Sequence, residues 1–433
     1  MLPNPTILRP YDRMRTPAPV PLGLKKSFGF GDRLGLAGPG HIAALRNSSF
    51  AGILAQQSIR ELNRTDRKPE DVMEAARTAI QASHYDQPWG ADADHLKNED
   101  DVARTVEAGF CFFTIDPSTY VQNDADWMKE ADLDRAIQAM TSDRVLPGSD
   151  WMDLYLGKDY TVGEDLVLRY NEESLKRAAV KYARAIAHCE TMAGFVAKHC
   201  AQRPYELEVS VDETDSPTSS LEHLFFALEL RRRSVTVVSL APRFIGDFEK
   251  GVDYRGDWDL FEVRLREHVA IAREMGPYKI SVHSGSDKFS VYPIIGRICG
   301  DLLHVKTAGT SYLEALRVVC QTDRELFQEI AAYCVGRFDE DVASYHVSTN
   351  AEHIAQLRQR HLGDEELEEA YLNEDTGRQL LHVTFGSVLT QGARKNGQPF
   401  KQAILELLEK EDDLHTELLE SWLGRHLELL EAG

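Results

Sequence analysis

Eight times between Lys26 and Val335 a short β-rich segment is followed by a helical one. The β-rich pieces are 27–33 (SFGFGDR), 52–58 (GILAQQS), 89–95 (WGADADH) and 110–116 (FCFFTID). Four more are 205–213 (YELEVSVDE), 235–243 (VTVVSLAPR), 279–286 (KISVHSGS) and 302–308 (LLHVKTA). Helices are expected at 41–46, 69–82, 99–108, 172–199, 219–233, 257–275, 292–299 and 312–335. The second of these opens on Pro69, which the first turn of a helix tolerates. Eight βα units in series have one dominant solution, the closed (β/α)8 (TIM) barrel. The alternative is a doubly wound open sheet, which normally carries a Gly-rich phosphate turn after its first strand. Here that turn reads Gly29-Phe30-Gly31, then Gly35, Gly38 and Gly40; it is not G-x-G-x-x-G and opens no long helix.

Three regions fall outside the repeat. Residues 1–25 are Pro-rich and read as a strap, with the barrel over 26–337. Residues 117–170 follow the fourth strand and are too long for a plain loop, which suggests a small helical excursion or lid. Residues 338–433 form a mostly helical extension, with one strand-like piece at 381–389 (LHVTFGSVL). Its last segment sets Leu405, Leu408, Leu418, Leu419, Trp422 and Leu430 among acidic residues, a face for packing on this chain or on a second copy in a homo-oligomer.

Charge narrows the function. Lys and Arg number 49 against 70 Asp and Glu, a net −21, which disfavours nucleic acid and anionic lipid as partners. No run of eighteen apolar residues occurs and the N-terminal segment lacks a signal-type apolar core, so neither a membrane span nor secretion is expected. The six cysteines form no CxxC pair and read as buried thiols of a cytoplasmic protein.

Strand parity locates the chemistry. In a barrel, one face of each strand meets the outer helices and the other points inside, lining the active site at the C-terminal ends. Leu207, Val209 and Val211 oppose Glu206, Glu208, Ser210 and Asp212; Ala91 and Ala93 oppose Asp92 and Asp94. Ile280 and Val282 oppose Ser281 and His283; Leu303 and Val305 oppose His304 and Lys306. The strand ends then offer Asp32, Gln57, Asp94, Asp116, Asp212, Arg243, His283, His304 and Lys306. His283 and His304, from adjacent strands, with Asp212 or Glu208 or the loop residue Glu249, would make a divalent-metal site with open positions. Zn, Mn, Ni and Fe all suit such donors. The turn Ser284-Gly285-Ser286-Asp287-Lys288 offers backbone N–H groups and a cation to an anion, and Arg243, Lys250 and Lys306 add positive potential. A small anionic substrate is implied, with Gln57, Arg243, Lys250, Ser284, Ser286 and Lys288 as its contacts.

The runs SVHSGSDKFSVYP (281–293), APRFIGDFEKGVDYRGD (241–257) and LLHVTFGSVL (380–389) resemble the tagaturonate epimerase family, and the likeness covers most of 26–390. The resemblance implies a bacterial enzyme of hexuronate breakdown that interconverts tagaturonate and fructuronate and depends on a divalent metal. These ketouronates differ at the carbon once removed from the ketone's neighbour, which simple enolisation does not reach. Retro-aldol cleavage with re-addition, or proton exchange through a strongly stabilised anion, remain. Either needs an acid and a base. Asp94 and Glu208 are expected to face each other across the sugar, with Lys306 on the developing oxyanion. Two other functions fit the same barrel: a metal-dependent aldolase or isomerase of phosphorylated or other ketoses, and a non-catalytic sugar-acid binding protein.

Overall fold

The computed structural model describes residues 17–433 apart from 165, 361, 364 and 365. The part of the strap at 1–16 lies outside the described residues. Eight parallel strands close into a barrel in sequential order. They are Ser27–Gly31, Ala51–Ser58, Gly90–Leu96, Phe112–Ile115, Glu206–Ser210, Ser239–Ala241, Lys279–Val282 and Leu303–Thr307. The last pairs with the first through Ser27↔His304 and Gly29↔Lys306, which seals the ring. A side chain at Gly29 would start 1.8 Å from Gln56 Oε1, so the missing Cβ is what lets that amide lie inside the barrel.

Several helix ends follow directly from local chemistry. Pro69–Ala82 opens on proline, and Glu99–Ala108 is capped by the Asn98 side chain on the Asp101 N–H and ends at Gly109, φ 101°. Other elements differ from the sequence expectation. The sixth strand shrinks to Ser239–Ala241. The helix expected over 312–335 breaks into Thr310–Thr322 and Arg324–Asp341, because Asp323 caps the second by accepting from Leu326 N. The strand-like stretch 381–389 is helical instead, divided at Thr384 between Asp375–Val383 and Phe385–Thr390. Its β-branched and aromatic residues are there for burial, and a buried helix and a buried strand share that composition.

The outer ring explains the C-terminal extension. The helices after the first and seventh strands, Gly38–Leu45 and Tyr292–Cys299, are only eight residues each. Helix Asp412–Glu431 lies across both and buries Leu419, Leu423, Leu427 and Leu430. Close approach is made possible by Gly40 and Gly296, where a Cβ would fall 2.4 Å from Leu419 Cβ and 1.9 Å from the Leu430 carbonyl oxygen. The insertion packs on the outer helices and reaches the loop after the fifth strand, where Asn123 accepts from Asp215 N at 3.2 Å. Its helix Glu130–Ser142 lies on helix Glu172–Cys200, and Asp126 pairs with Lys181 of the latter at 3.0 Å. All six cysteines are buried free thiols. No described helix is long and apolar enough to cross a membrane.

Beneath the barrel, the segment ahead of the first strand is tied down. Trp89 Nε1 donates to the Pro17 carbonyl at 2.9 Å, and the N–H groups of Leu22 and Gly23 donate to the Glu206 carboxylate at 3.1 and 2.8 Å.

Candidate active site

At the C-terminal mouth, Lys306 is the centre of a buried charge cluster. Its Nζ lies 2.7 Å from Asp92, 2.8 Å from Asp94 and 2.9 Å from Glu208, and donates to Thr114 at 2.5 Å. Burial works against its charge, but the three carboxylates lift its pKa well above the ordinary lysine value. Asp94 and Glu208 therefore share one ammonium and do not face each other across a sugar. Burial raises Asp92 to about 7, with Lys306 opposing and the two neighbouring acids adding to the rise.

Above this floor stand two imidazoles. His283 places Nε2 2.6 Å from Glu208 and Nδ1 3.4 Å from Asp212. Burial opposes its protonation, yet Asp212 and Glu208 push its pKa up to about 9. His95 faces it, ring centroids 5.3 Å apart, with Nδ1 2.8 Å from Asp94 and Nε2 3.8 Å from Asp212. Asp94, His95 and His283 each offer a ligand atom within 4.8 Å of the others. His95 Nε2 is buried without a hydrogen-bond partner. Two imidazoles and a carboxylate, with Asp212 beside them, are a donor set that suits a divalent transition metal. Against burial, Asp94 and Asp212 raise the pKa of His95, and Asp212 and Glu208 that of His283.

Strand parity does not find His95. Next to the inward Asp94, it should point at the outer helices. A left-handed backbone at His95, φ 58°, breaks the alternation at the strand end and brings the ring over the mouth. Such a conformation is uncommon for a non-glycine residue and concentrates at functional sites. The one sequence signal was the Asp-His pair itself.

Other expected site residues land elsewhere. His304 pairs with Ser281, two residues below His283, so it lies one layer deeper. Its Nδ1 meets Ser27 Oγ at 3.0 Å, and burial holds its pKa well below the imidazole range. It is not part of the metal-ligand group. Glu249 is also absent from that group, accepting instead from Ser348 N and Gln379 Nε2 at 2.9 and 2.7 Å. Gln57 pairs with Ala93, on the opposite parity from Asp94, and donates to Glu61 at 3.2 Å. Gln56 takes the inward place. Lys288 is wholly buried and donates to the carbonyls of Glu249, Val252 and Ser286 at 2.8, 2.6 and 2.8 Å, leaving nothing for an anion. Burial brings its pKa down to about 8. Ser286 is buried beneath it. Lys250 donates to Ser284 Oγ at 2.5 Å, joining the sixth and seventh loops at the mouth. Arg243 donates its N–H to Thr218 Oγ1 at 3.0 Å, accepts from Thr218 N at its carbonyl, and keeps a buried Nε without a partner. Asp32 and Asp116 accept from nearby N–H groups and shape turns.

Fold and mouth together define the class: a (β/α)8 barrel with a cluster of carboxylates and imidazoles at the C-terminal ends of its strands that could hold a metal ion. Comparison with known proteins is specific. The profile of the tagaturonate epimerase family matches residues 4–430. The tagaturonate/fructuronate epimerase of Thermotoga maritima is 42% identical over 416 residues, 96% of this chain and 82% of that one. The glycerol-bound crystal structure of fructuronate-tagaturonate epimerase UxaE from Cohnella laeviribosi superposes with a TM-score of 0.88 at 38% identity, covering 95% of this chain and 83% of that chain. The native structure of the same enzyme gives 0.87 at 39%, with the same coverage. The chain belongs to the tagaturonate epimerase family.

Proposed function

We propose that this enzyme interconverts D-tagaturonate and D-fructuronate with the help of a divalent cation, in the cytoplasm. The observation that carries the reading is the convergence of Asp94, His95 and His283 within 4.8 Å over the Lys306 cluster. Bound by these three residues, Zn, Mn, Ni or Fe would supply a Lewis acid for the ketone oxygen.

The rest follows from the chain's own groups. Asp212 is the accessible acid, its side chain 21% exposed against 0% for Glu208. Its pKa is held well below the usual range, against burial, by His283 and His95, so it stands ionised between them. Asp212 takes the proton of the hydroxyl on the carbon to be inverted. The neighbouring C–C bond then breaks, its electron pair passes to the ketone side as an enediolate, and an aldehyde is released. Lys306, fixed by three carboxylates, provides a permanent positive charge beneath that oxyanion without reorganisation. The aldehyde turns its other face, the same C–C bond re-forms, and Asp212 returns the proton to the alkoxide. Direct proton exchange lacks an equivalent rationale, because the hydrogen on the inverted carbon is not adjacent to the ketone.

The test is turnover of both ketouronates by purified protein in deuterated solvent, with and without chelator. We expect interconversion that chelator abolishes and metal restores, with no deuterium at the inverted carbon. Chelator-insensitive turnover would remove the metal, deuterium at that carbon would remove the cleavage route, and preference for phosphorylated ketoses would remove the substrate.

A further inference from the structure

A second polar cluster lies at the mouth, on the side of the first and eighth strands, and the mechanism above does not use it. Arg33 follows the first strand; its Nε donates to Glu61 Oε1 at 2.9 Å and its Nη2 meets His382 Nε2 at 3.3 Å. The guanidinium lies 3.6 Å over the Phe385 ring, and Nη1 is buried with no partner. His382 comes from the C-terminal extension. It reaches the barrel because Gly309 has no side chain: a Cβ there would sit 2.0 Å from the imidazole Cε1. Gly309 leads into helix Thr310–Thr322, thirteen residues with no side-chain cap on their N–H groups.

Hydrogen-bond accounting gives this cluster a sign. Arginine only donates, so His382 Nε2 must accept, and its proton therefore sits on Nδ1. That Nδ1 is buried and has no acceptor. Thr310 Oγ1, in the first turn of the uncapped helix, is buried without a partner too. Arg33, His382 and Thr310 are 2%, 1% and 1% exposed. The cluster thus offers unused donors from a guanidinium, an imidazole and a helix N-terminus, while its one carboxylate, Glu61, is occupied by Nε and Nη2 of Arg33. Such an array calls for a ligand that only accepts. Lys250 connects the cluster to the candidate metal centre, since its Nζ is on Ser284, the residue after His283, while a Cβ at the next residue, Gly251, would fall 3.7 Å from the His382 Cβ.

We propose that Arg33, His382 and the N-terminus of helix Thr310–Thr322 bind the carboxylate of the hexuronate, so that the C-terminal extension completes the substrate site. This deepens the function proposed above and rests on it. Of the other cations at the mouth, Lys288 is committed to three carbonyls and Arg378 to Asp287 and the carbonyls of Gly251 and Leu372, while Lys250 donates to Ser284 Oγ.

The experiment pairs two measurements on the full-length enzyme: KM for D-tagaturonate, and the inhibition constant of D-tagatose, which carries a hydroxymethyl group where the acid carries its carboxylate. In Arg33→Met, KM should rise about thirtyfold, as for losing a charge-assisted hydrogen bond, while D-tagatose inhibition stays within about twofold. His382→Gln should shift in the same direction by less. Arg33→Lys keeps the charge beside Glu61 and guards against misfolding; it should fall between wild type and Arg33→Met. Bound metal should match wild type in all three variants. Both constants rising together, or neither moving, in a variant that unfolds at the wild-type temperature would overturn the proposal alone. Absence of ketouronate turnover in the unsubstituted enzyme would overturn the proposed function with it.

Discussion

His283 and His304 stand on adjacent strands, on the same inward face, one layer apart, and their environments are opposite. The upper ring is wedged between Glu208 and Asp212 and is pushed up to about 9. The lower ring lies among Ser27, Lys279 and Phe112, and burial keeps it neutral. In the lower layer Lys279 donates to Ser27 at 3.0 Å, and Glu206 holds the strap. The same alternation of polar and apolar residues therefore makes a reactive site at one end of the strands and a sealed plug at the other. Height along the barrel axis, not residue type, assigns the role.

The sharpest way to break this contrast is to remove each imidazole. His95→Ala and His283→Ala should lose bound metal and about a thousandfold in turnover, the several kcal/mol a Lewis acid contributes. His304→Ala should keep its metal and stay within about tenfold of wild-type turnover. Elemental analysis beside a ketouronate assay reads both; metal loss confined to His304→Ala would invert the comparison.

Next in size is Lys306→Met. Removing one partner of a buried ionic cluster costs about 3–5 kcal/mol of stability, because Asp92, Asp94 and Glu208 are left facing one another. Denaturant unfolding should show that loss, and added divalent metal should recover part of it. A fall below about 1 kcal/mol would mean that the acids are already neutralised by protons.

At the sealed end, Glu206→Gln should lower unfolding free energy by about 2 kcal/mol, since two N–H groups lose a charged acceptor. Turnover should not change. A rise in KM would show that the strap communicates with the mouth.

Much of this was legible in the residues, and the failures have physical causes. The count of eight βα units and the parity of Glu208, Asp94, His283 and Lys306 follow from period-two patterning, which survives in these strands because their inward face carries polar side chains at the mouth. Parity says nothing about depth, so His304 looked equivalent to His283. It also assumes an extended backbone, so the left-handed turn at His95 hid the ring that completes the metal-ligand group. The stretch 381–389 looked like a strand because its neighbours are apolar on every side; all of 377–385 is buried, and burial erases the periodicity that separates helix from strand. Lys288 looked like an anion contact because a lysine in a turn usually reaches solvent. Here three carbonyls face inward and claim it.

The smallest expected signal lies in the pH dependence of stability, and it separates the two layers by mechanism. His304 is neutral in the folded protein, with its pKa well below 6.5, whereas in the unfolded chain it titrates near that value. Between pH 6.5 and its folded pKa the unfolded state binds more protons. The stabilisation is therefore complete above pH 6.5 and is lost as pH falls. One such group contributes a slope of at most about 1.4 kcal/mol per pH unit. Other buried neutral histidines, such as His268 with a pKa of about 4, act in the same direction, so the total slope does not identify His304. The difference between wild type and His304→Gln does. Unfolding free energies at pH 7 and 5.5 should differ by about 1 kcal/mol less in the variant. An equal difference in both proteins would mean that the ring in the lower layer already carries a proton, and that the floor of the barrel is as charged as its mouth.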